Sequence, residues 1–375
     1  MRLLIVLLIG AAFFFLQGLI FRKNWHKGVN VDIDFEKNTV REGDKNTLIE
    51  VIKNDKILPL PVVLVKFSMT RTFLFSKESN ASVTDQYYRK EYFSCRPYQM
   101  VTRKYAFTAS KRGQYSLSSF DLICKDYFFK QNVFASLKHF ASVLVLPGRI
   151  REGEIPKNFL PLSGEIISRI KLTEDPFSFL SVREYQPYDP MNHINWKATA
   201  KNASLFVNTF HTTNKRNVVL LLNLETESIR RGETIAEAAI KIASFLTAHF
   251  ITEQIPVALY SNGTDCETGE KIAIEAGCDE GHIRQIDVAL ARLKVADFYD
   301  PFTKLMEECV EKEDTENEYI IISNNRSEEM LKLFTEFKAE GHKMTFLVPE
   351  YTANSIKPLV DNGMDIIKWG IDYEE

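Results

Sequence analysis

The spacing of apolar residues changes along the chain, and this change limits the folds open to it. Between about Val29 and Leu146, apolar and polar residues alternate, as in the segment VNVDIDFEKN. A period of two indicates a strand with one buried face. Similar segments follow at short intervals: TLIEVI, VVLVKFSM, YYRKEYFS, VTRKYAFTAS, GQYSLSSFDLI and SVLVLP. About seven short strands in succession predict an all-β sandwich of the immunoglobulin-like kind.

From about Asn217 onward, apolar strands alternate with amphipathic helices. The segment NVVLLLNL is continuously apolar, as expected for a strand buried on both faces. Helical spacing follows in ETIAEAAIKIASFLTAHFITEQ, near 281–295, near 301–312 and in SEEMLKLFTEFKAEG. The other predicted strands are PVALYS, EYIIISN, KMTFLVP, DIIKWG and an edge strand, KIAIEAG. This alternation predicts an α/β domain with a parallel, doubly wound sheet. No glycine-rich phosphate loop follows its first strand, which argues against nucleotide binding.

A third pattern is the apolar run from Leu3 to Phe21, in which only Gln17 is strongly polar. At about 1.5 Å per residue this run spans roughly 28 Å, close to the hydrocarbon thickness of a bilayer. A cleaved secretory signal is the alternative, but it needs a small-x-small cleavage site, and the run ends in Ile-Phe-Arg-Lys. The sequence therefore favours an uncleaved membrane anchor over residues 3–21.

Charge and cysteine content favour a cytoplasmic body. Arg22, Lys23 and Lys27 follow the apolar run, whereas only Arg2 and the amino terminus precede it. The five cysteines have no CxxC spacing, which is typical of free thiols in a reducing compartment. A net charge of −3 gives no support for nucleic-acid binding.

These patterns predict four parts in the chain. They are a membrane anchor over residues 1–27, a β-sandwich domain over 28–150, a connecting segment over 151–215 and the α/β domain over 216–375. The total of 375 residues suits about two ordinary domains plus an anchor.

The connecting segment contains a dense polar stretch, SVREYQPYDPMNHINWKATAKNASLFVNTF. Its turn chemistry predicts a strand, a turn, two short capped helices and a second strand. Asp189 followed by Pro190 is expected to start the first helix, and Asn195 to cap the second, which Asn202 closes. Pro187 ends the strand before them.

Three kinds of contact are expected in this stretch. Trp196 is predicted to be a buried anchor because of its large apolar area. Arg183 is predicted to clamp Asp189, Glu184 or a carboxylate of the α/β domain. Lys197 and Lys201 lie four residues apart, on one face of the second helix, and either meet an acidic partner or form a solvated surface.

A catalytic interpretation of the same stretch is the alternative. It would use His193 as the base, Asp189 as its orienting carboxylate, and Thr199 or Ser204 as the nucleophile. The stretch has no elbow-type nucleophile turn and no evident set of oxyanion donors. Caps, turn residues and anchors account for more of its residues, so catalysis is not expected.

Five segments resemble one protein family, the one catalogued as domain of unknown function 58. They are REYQPYD (183–189), INWKATAK (194–201), LLNLE (221–225), KRGQYSL (111–117) and DPFSF (175–179). The resemblance implies a membrane-anchored protein whose C-terminal domain is similar to a von Willebrand factor A domain. It also implies an association with MoxR-type AAA+ ATPases and transglutaminase-like membrane proteins, and no common reaction.

The resemblance draws attention to a metal site that this sequence lacks in its usual form. Metal-binding von Willebrand A domains carry Asp-x-Ser-x-Ser after their first strand, where this chain has Asn223, Glu225 and Glu227. Asn324 and Asn325 stand where a further carboxylate would be expected. Because hard cations require clustered oxygen ligands, we expect no metal at these positions.

Together these observations predict a membrane-tethered scaffold or adaptor that binds another protein, which the resemblance implies is a MoxR-type AAA+ ATPase. No cofactor, small-molecule substrate or nucleic acid is expected. The alternatives are a hydrolase or transferase at Asp189, His193 and Thr199, and a metal-dependent adhesion domain. The stretch is expected to form a clasp between the two domains through its signature residues, which are Arg183, Glu184, Tyr185, Pro187, Asp189, Asn195, Trp196, Lys197 and Lys201.

Overall fold

The computed structural model describes most of the chain. The described residues are 2–70, 72–75, 81–83, 86–126, 132–171, 174–187, 189, 191–202, 204–212, 216–225, 232–295, 299–312, 316–351 and 366–371. The chain forms two compact units, Met1–Gly148 and Arg149–Glu375.

The first unit contains one helix and two β-sheets. The helix is α1 (Arg2–Asn24). The strands are β1 (Val29–Phe35), β2 (Thr39–Arg41), β3 (Lys45–Asn54), β4 (Leu60–Thr70), β5 (Phe73–Phe75), β6 (Ala81–Val83), β7 (Gln86–Cys95), β8 (Met100–Ala109), β9 (Gly113–Lys125) and β10 (Asn132–Leu146). Their order is β1-β3-β8-β5 in one sheet and β2-β10-β9-β4-β7-β6 in the other.

The two sheets pack face to face around one core. In β1 the residues Val29, Val31, Ile33 and Phe35 are buried and the residues between them are exposed. Ile33 of the first sheet and Val65 of the second belong to the same hydrophobic cluster. The predicted β-sandwich is therefore confirmed. The sequence patterns missed β2, β5 and β6, because three residues are too few to show a period.

The KRGQYSL turn between β8 and β9 has a structural role. Gly113 has φ +145°, a backbone conformation that side chains rarely adopt. A Cβ at this position would lie 3.1 Å from the Tyr115 ring. The Tyr115 hydroxyl lies 3.1 Å from the Lys111 carbonyl oxygen and 3.0 Å from that of Arg112, so it can donate to either one. The glycine thus leaves room for a tyrosine that closes the turn.

The second unit is built on a seven-stranded sheet. Its helices are α2 (Phe159–Lys171), α3 (Trp196–Asn202), α4 (Gly232–Thr252), α5 (Glu280–Arg292), α6 (Phe302–Lys312) and α7 (Glu328–Ala339). Its strands are β11 (Glu174–Glu184), β12 (Phe206–Thr212), β13 (Val218–Leu222), β14 (Val257–Asp265), β15 (Lys271–Gly277), β16 (Leu293–Lys294), β17 (Glu318–Ile322), β18 (Lys343–Tyr351) and β19 (Ile366–Ile371).

The main sheet has the order β15-β14-β13-β17-β18-β19, with β16 added beside β14. Strands β14, β13, β17, β18 and β19 are parallel, and β15 is antiparallel. Chain order therefore runs outward from β13 in both directions, as in a doubly wound sheet. The antiparallel β15 is the KIAIEAG segment, which was predicted as an edge strand.

Helices cover both faces of this sheet, which explains the apolar run in β13. Val218, Leu220 and Leu222 pack on one side with α2, α4 and α5. Val219 and Leu221 pack on the other side with α6 and α7. Every residue of β13 is buried, as predicted. Helix α2 was not predicted; its Phe159, Ile166 and Ile170 lie in the first of these cores, so part of the connecting segment packs into the second unit.

Two described helices, α1 over Leu7–Asn24 and α4, are long and apolar enough to cross a bilayer, judged by length and composition. Helix α4 contributes Ile240, Ala243 and Leu246 to the core of the second unit, which accounts for its apolar character. In α1, by contrast, many large apolar side chains are exposed: Ile5, Leu7, Leu8, Ile9, Phe15, Leu16, Leu19 and Ile20. A membrane span is a better explanation for α1 than for α4.

We expect Leu220→Ala to lower the free energy of unfolding of the second unit by about 2–5 kcal/mol, because it leaves a cavity in a strand with no exposed face. Thermal unfolding followed by circular dichroism measures the effect, at roughly 2–4 °C per kcal/mol for a domain of this size. Leu160→Ala is the matched control, since Leu160 is 56% exposed on α2. Equal shifts for the two variants would contradict the assigned burial.

Candidate functional site

The signature stretch forms a β-hairpin with two short helical turns between its strands. Strands β11 and β12 are antiparallel, with Arg183 opposite Val207 and Glu184 opposite Phe206. The Tyr185 N–H continues the ladder by donating to the Leu205 carbonyl at 2.8 Å. Between the strands lie a 3-10 turn, Met191–His193, and helix α3. The predicted order of strand, turn, two short helices and strand is confirmed. Side chains over 171–180, which include the DPFSF segment, and Pro190 lie outside the described residues.

Arg183 and Asp189 form a two-bond ion pair across the turn after β11. Arg183 Nη1 donates to Asp189 Oδ2 at 2.7 Å and Nη2 donates to Oδ1 at 2.6 Å. Asp189 Oδ2 also accepts from the Gln186 N–H at 2.8 Å, and Arg183 Nη1 donates to the Glu184 carbonyl at 3.2 Å. The Arg183 guanidinium holds the pKa of Asp189 below its usual value, with smaller contributions from the Gln186 amide and from His193.

Asp189 thus has a different role from the predicted helix cap. Its carboxylate bonds to residues that precede it in the chain, and it closes the turn that contains Pro187. Of the three carboxylates predicted as partners of Arg183, the structure shows Asp189. The pair is bidentate, because a planar guanidinium can donate two parallel hydrogen bonds to one carboxylate.

Asn195 caps α3, as predicted, and it also holds this helix against β12. Its Oδ1 accepts from the Ala198 N–H at 2.9 Å, and its Nδ2 donates to Asn208 Oδ1 at 2.7 Å. The Thr199 hydroxyl oxygen accepts from the Phe206 N–H at 3.0 Å. Thr199 and Asp189, two members of the alternative catalytic set, therefore both make hydrogen bonds that hold the hairpin together.

Trp196 is not a buried anchor, and that prediction was wrong. Its side chain is 68% exposed. The Asn195 cap sets the helical phase so that Ala198 and Thr199 turn toward β12, while Trp196, Lys197, Ala200 and Lys201 are exposed. We call these four residues the α3 face. Two more exposed apolar side chains belong to the same segment, Met191 at 67% and Leu205 at 42%.

A second candidate site lies at the carboxyl ends of β13 and β17 and at the adjacent residues of β14. In doubly wound sheets, ligands bind outside the carboxyl ends of the strands, at the point where the strand order reverses direction. In this sheet that point is at β13. The residues at this edge are mostly buried and polar: Asn223, Ser261, Asn262 and Ser323. Of these, only Asn223 is among the site residues predicted from the sequence. The Ser-Asn pairs that end both YSN and ISN were a signal for the others.

Asn223 is the centre of this edge. Its Oδ1 accepts from Asn262 Nδ2 at 3.0 Å and from the Glu225 N–H at 2.9 Å. Its Nδ2 donates to Ser323 Oγ at 3.0 Å. The amide is 2% exposed, so this network is inside the protein. Buried polar groups are costly unless paired, and here the pairs link three adjacent strands.

Glu225 joins the same edge to helix α6. Its Oε1 accepts from the Phe302 N–H, the first of that helix, at 3.1 Å. Its Oε2 accepts from Asn325 Nδ2 at 3.1 Å. A carboxylate at a helix N-terminus is stabilised by the unpaired N–H groups and the helix dipole. Glu227 lies outside the described residues.

These residues do not fit the metal that the family resemblance raises. The oxygen atoms of Asn223 and Glu225 already accept N–H donors, and a cation would have to displace them. Among the described residues, no group of three or more His, Cys, Asp and Glu side chains is placed to hold a metal ion.

Comparison with known proteins gives only distant likenesses. No family model matches the chain, and no curated protein matches it. A CARDB domain from Pyrococcus furiosus is 13% identical, with a TM-score of 0.20, and the match covers 32% of this chain and 94% of that chain. A cohesin from Archaeoglobus fulgidus is 9% identical, with a TM-score of 0.21, over 31% of this chain and 91% of that one. TM-scores this low carry no argument about fold or function.

We expect the turn held by Arg183 and Asp189 to loosen in acid. The pKa of Asp189 is lower in the folded protein than in the unfolded chain, where it is about 3.9. The ion pair therefore contributes its full stabilisation above the unfolded-state pKa and loses it as pH falls through the folded-state pKa. Hydrogen exchange at Gln186, corrected for intrinsic rates, measures this loosening. Asp189→Asn keeps an acceptor for the Gln186 N–H but removes the charge. In this variant the Gln186 amide should be less protected from exchange, and its protection should not depend on pH in this range. Wild-type protection that does not change in acid would count against the pair.

We expect Mg²⁺ to leave the melting temperature unchanged near neutral pH, because the oxygen atoms at the sheet edge are hydrogen-bonded within the protein. Differential scanning fluorimetry with and without Mg²⁺ tests this expectation. A clear stabilisation that Asn223→Ala combined with Glu225→Ala abolishes would show that the edge is a metal site.

Proposed function

We propose that this protein is a membrane-tethered scaffold of the domain of unknown function 58 type, which binds a MoxR-type AAA+ ATPase through the α3 face. The observation that carries the proposal is the exposure of Trp196 at 68% on a helix that is fixed on its other side. An exposed tryptophan among lysines is unusual on a free surface, and tryptophan is enriched among residues that dominate binding energy.

The fixed position of the α3 face supports this role. Asn195 and Thr199 attach α3 to β12, and the Arg183–Asp189 pair closes the turn on the other side of the hairpin. Binding to a surface that is already ordered costs less conformational entropy than binding to a mobile loop. Lys197 and Lys201 flank the tryptophan, so the partner surface is expected to be acidic around an apolar pocket.

The α/β unit supports a non-enzymatic, von Willebrand factor A-like interpretation. Its sheet winds outward from β13 and its third strand is antiparallel. At the edge where such a domain would hold a metal, Asn223 and Glu225 bond instead to neighbouring strands and to α6. The proposed binding therefore uses side chains of the α3 face rather than a bridging cation.

The membrane tether in this proposal is α1, retained in the mature protein. Phe21 and Trp25, at and just after the end of the apolar run, are 1% and 3% exposed and belong to the core of the β-sandwich. Cleavage after the run would remove Phe21 from this core, which supports an anchor rather than a signal. The five cysteines form no disulfide, which suits the proposed cytoplasmic location of the body.

The test is affinity purification of the full-length protein from its own membranes after mild crosslinking, followed by mass spectrometry. We expect an AAA+ ATPase of the MoxR type. Trp196→Ala should weaken its binding by roughly 2 kcal/mol or more, about 30-fold in Kd. Lys197→Glu with Lys201→Glu should reduce binding and its salt dependence.

The matched control is Lys304→Glu with Lys332→Glu, which reverses two lysines that are 70% and 77% exposed on α6 and α7. This variant has the same charge change and should retain binding. Recovery of no specific protein, or equal losses in control and test variants, would contradict the proposal. Turnover in a hydrolase screen that His193→Ala abolishes would replace it with an enzymatic function.

A further inference from the structure

The end of α1 is part of the β-sandwich rather than a flexible stalk. Phe21 and Trp25 lie in the same hydrophobic cluster as Ile33 and Leu48. The Trp25 N–H donates to the Phe21 carbonyl at 2.8 Å, so the helical turn continues into the domain. The direction in which the helix leaves the domain is therefore fixed by packing.

Lys56 fastens this helix end. Its ammonium group donates to the carbonyl oxygens of Asn24 at 3.1 Å and Lys27 at 2.8 Å, and also to that of Trp25. The last carbonyls of a helix have no partner within the helix, and a cation is favoured there by the helix dipole. Burial lowers the pKa of Lys56 to about 8, which still leaves the group mostly protonated at neutral pH.

Two loops at this end of the sandwich are tied to each other and to Lys56. Asn54 is fully buried, and its Nδ2 donates to the carbonyls of Leu58 at 3.0 Å and Arg96 at 2.9 Å. Its N–H donates to the Gln99 carbonyl at 2.9 Å, and the Tyr98 N–H donates to the Lys56 carbonyl at 3.3 Å. We call residues 55–58 and 96–100 together the anchor-end loops.

The anchor-end loops expose large apolar side chains. Ile57 is 77% exposed, Tyr98 is 71% exposed and Met100 is 62% exposed. Tyr98 has φ +54°, a conformation that is uncommon outside glycine and is maintained where the surroundings impose it. The loops thus hold a tyrosine outward at some conformational cost. Large exposed apolar side chains on two adjoining loops are typical of a surface that another phase or molecule covers.

Charge around the cluster is positive. Arg22, Lys23 and Lys27 are exposed beside the end of α1, and Arg96 is exposed in the second loop. Basic residues near the end of a span attract anionic lipid headgroups, and tyrosine is enriched at membrane–water interfaces.

The distance along the helix places the loops at the headgroup layer. The apolar run ends at Phe21, and Asn24 lies three residues further, about 4.5 Å along the axis. The headgroup layer is roughly 5–7 Å thick on each side of the hydrocarbon core. Lys56 bonds to the Asn24 carbonyl, and Ile57 is the next residue, so for an upright helix Ile57 lies at this depth.

We propose that the anchor-end loops rest on the membrane, with Ile57, Tyr98 and Met100 inserted among the headgroups of the bilayer that α1 crosses. This inference rests on the membrane anchoring proposed above and adds a second contact to it. The α1 end and the inserted loops would together fix the orientation of the β-sandwich relative to the bilayer, which a single flexible anchor cannot do.

The experiment uses the full-length protein in liposomes that contain phosphatidylglycerol. The photoreactive amino acid benzoylphenylalanine is placed at position 57 or at position 98, and lipid adducts are measured by mass spectrometry after illumination. The matched control is position 74, where Leu74 is 58% exposed in the same unit. Leu74 pairs with Thr108, eight residues along β8 from Met100 and therefore roughly 26 Å away.

We expect at least tenfold more lipid adduct at positions 57 and 98 than at 74, and less adduct in purely zwitterionic liposomes. Equal yields at all three positions in a protein that resists alkaline extraction would overturn this inference while leaving the anchor in place. Release of the protein by alkaline extraction would instead overturn the anchoring itself. The same experiment in native membranes distinguishes lipid from protein. If positions 57 and 98 crosslink to one protein instead of lipid, the surface binds a protein partner and the proposed lipid contact is wrong.

Discussion

Burial of β13 on both faces is the constraint on which the second unit depends. Its five residues alternate between two separate cores, so each core requires its own layer of helices. Loss of either layer would expose a row of aliphatic side chains to water. The outward winding of the sheet follows, because parallel neighbours need crossover connections and those connections supply the helices. The carboxyl ends of β13 and β17 are thereby brought beside β14, and Asn223, Ser323 and Asn262 come together.

Asparagine side chains organise the loops in three separate places. Asn54 links two loops at the anchor end, Asn195 fixes α3 to β12, and Asn223 connects three adjacent strands. A carboxamide both donates and accepts and carries no charge, so it can be buried among backbone groups at lower cost than a carboxylate. This chemistry explains how Asn195 and Asn223 each hold neighbouring elements of the second unit together.

Several features lay beyond what sequence patterns could predict. Strands β2, β5 and β6 are too short to show a period, and no helix was predicted in the part of the connecting segment that forms α2. Trp196 shows a different limit. Residue type favoured burial, but the phase of α3 depends on where Asn195 caps it and on which side β12 lies. Helical periodicity over seven residues does not decide that question. For Glu225, the contact with α6 joins residues 77 positions apart, which no local pattern reveals.

The sequence by itself determined the β-sandwich, the doubly wound sheet, the apolar helix and the Asn195 cap. Each of these follows from local periodicity or from bonds between residues a few positions apart. Only the tertiary structure decided which side chains face outward and which polar groups are already paired. Those properties depend on contacts between segments that are distant in the chain, as between Lys56 and the end of α1 or between Asn223 and Ser323. The exposed α3 face and the anchor-end loops, where both proposals lie, could therefore be recognised only after the chain had been folded.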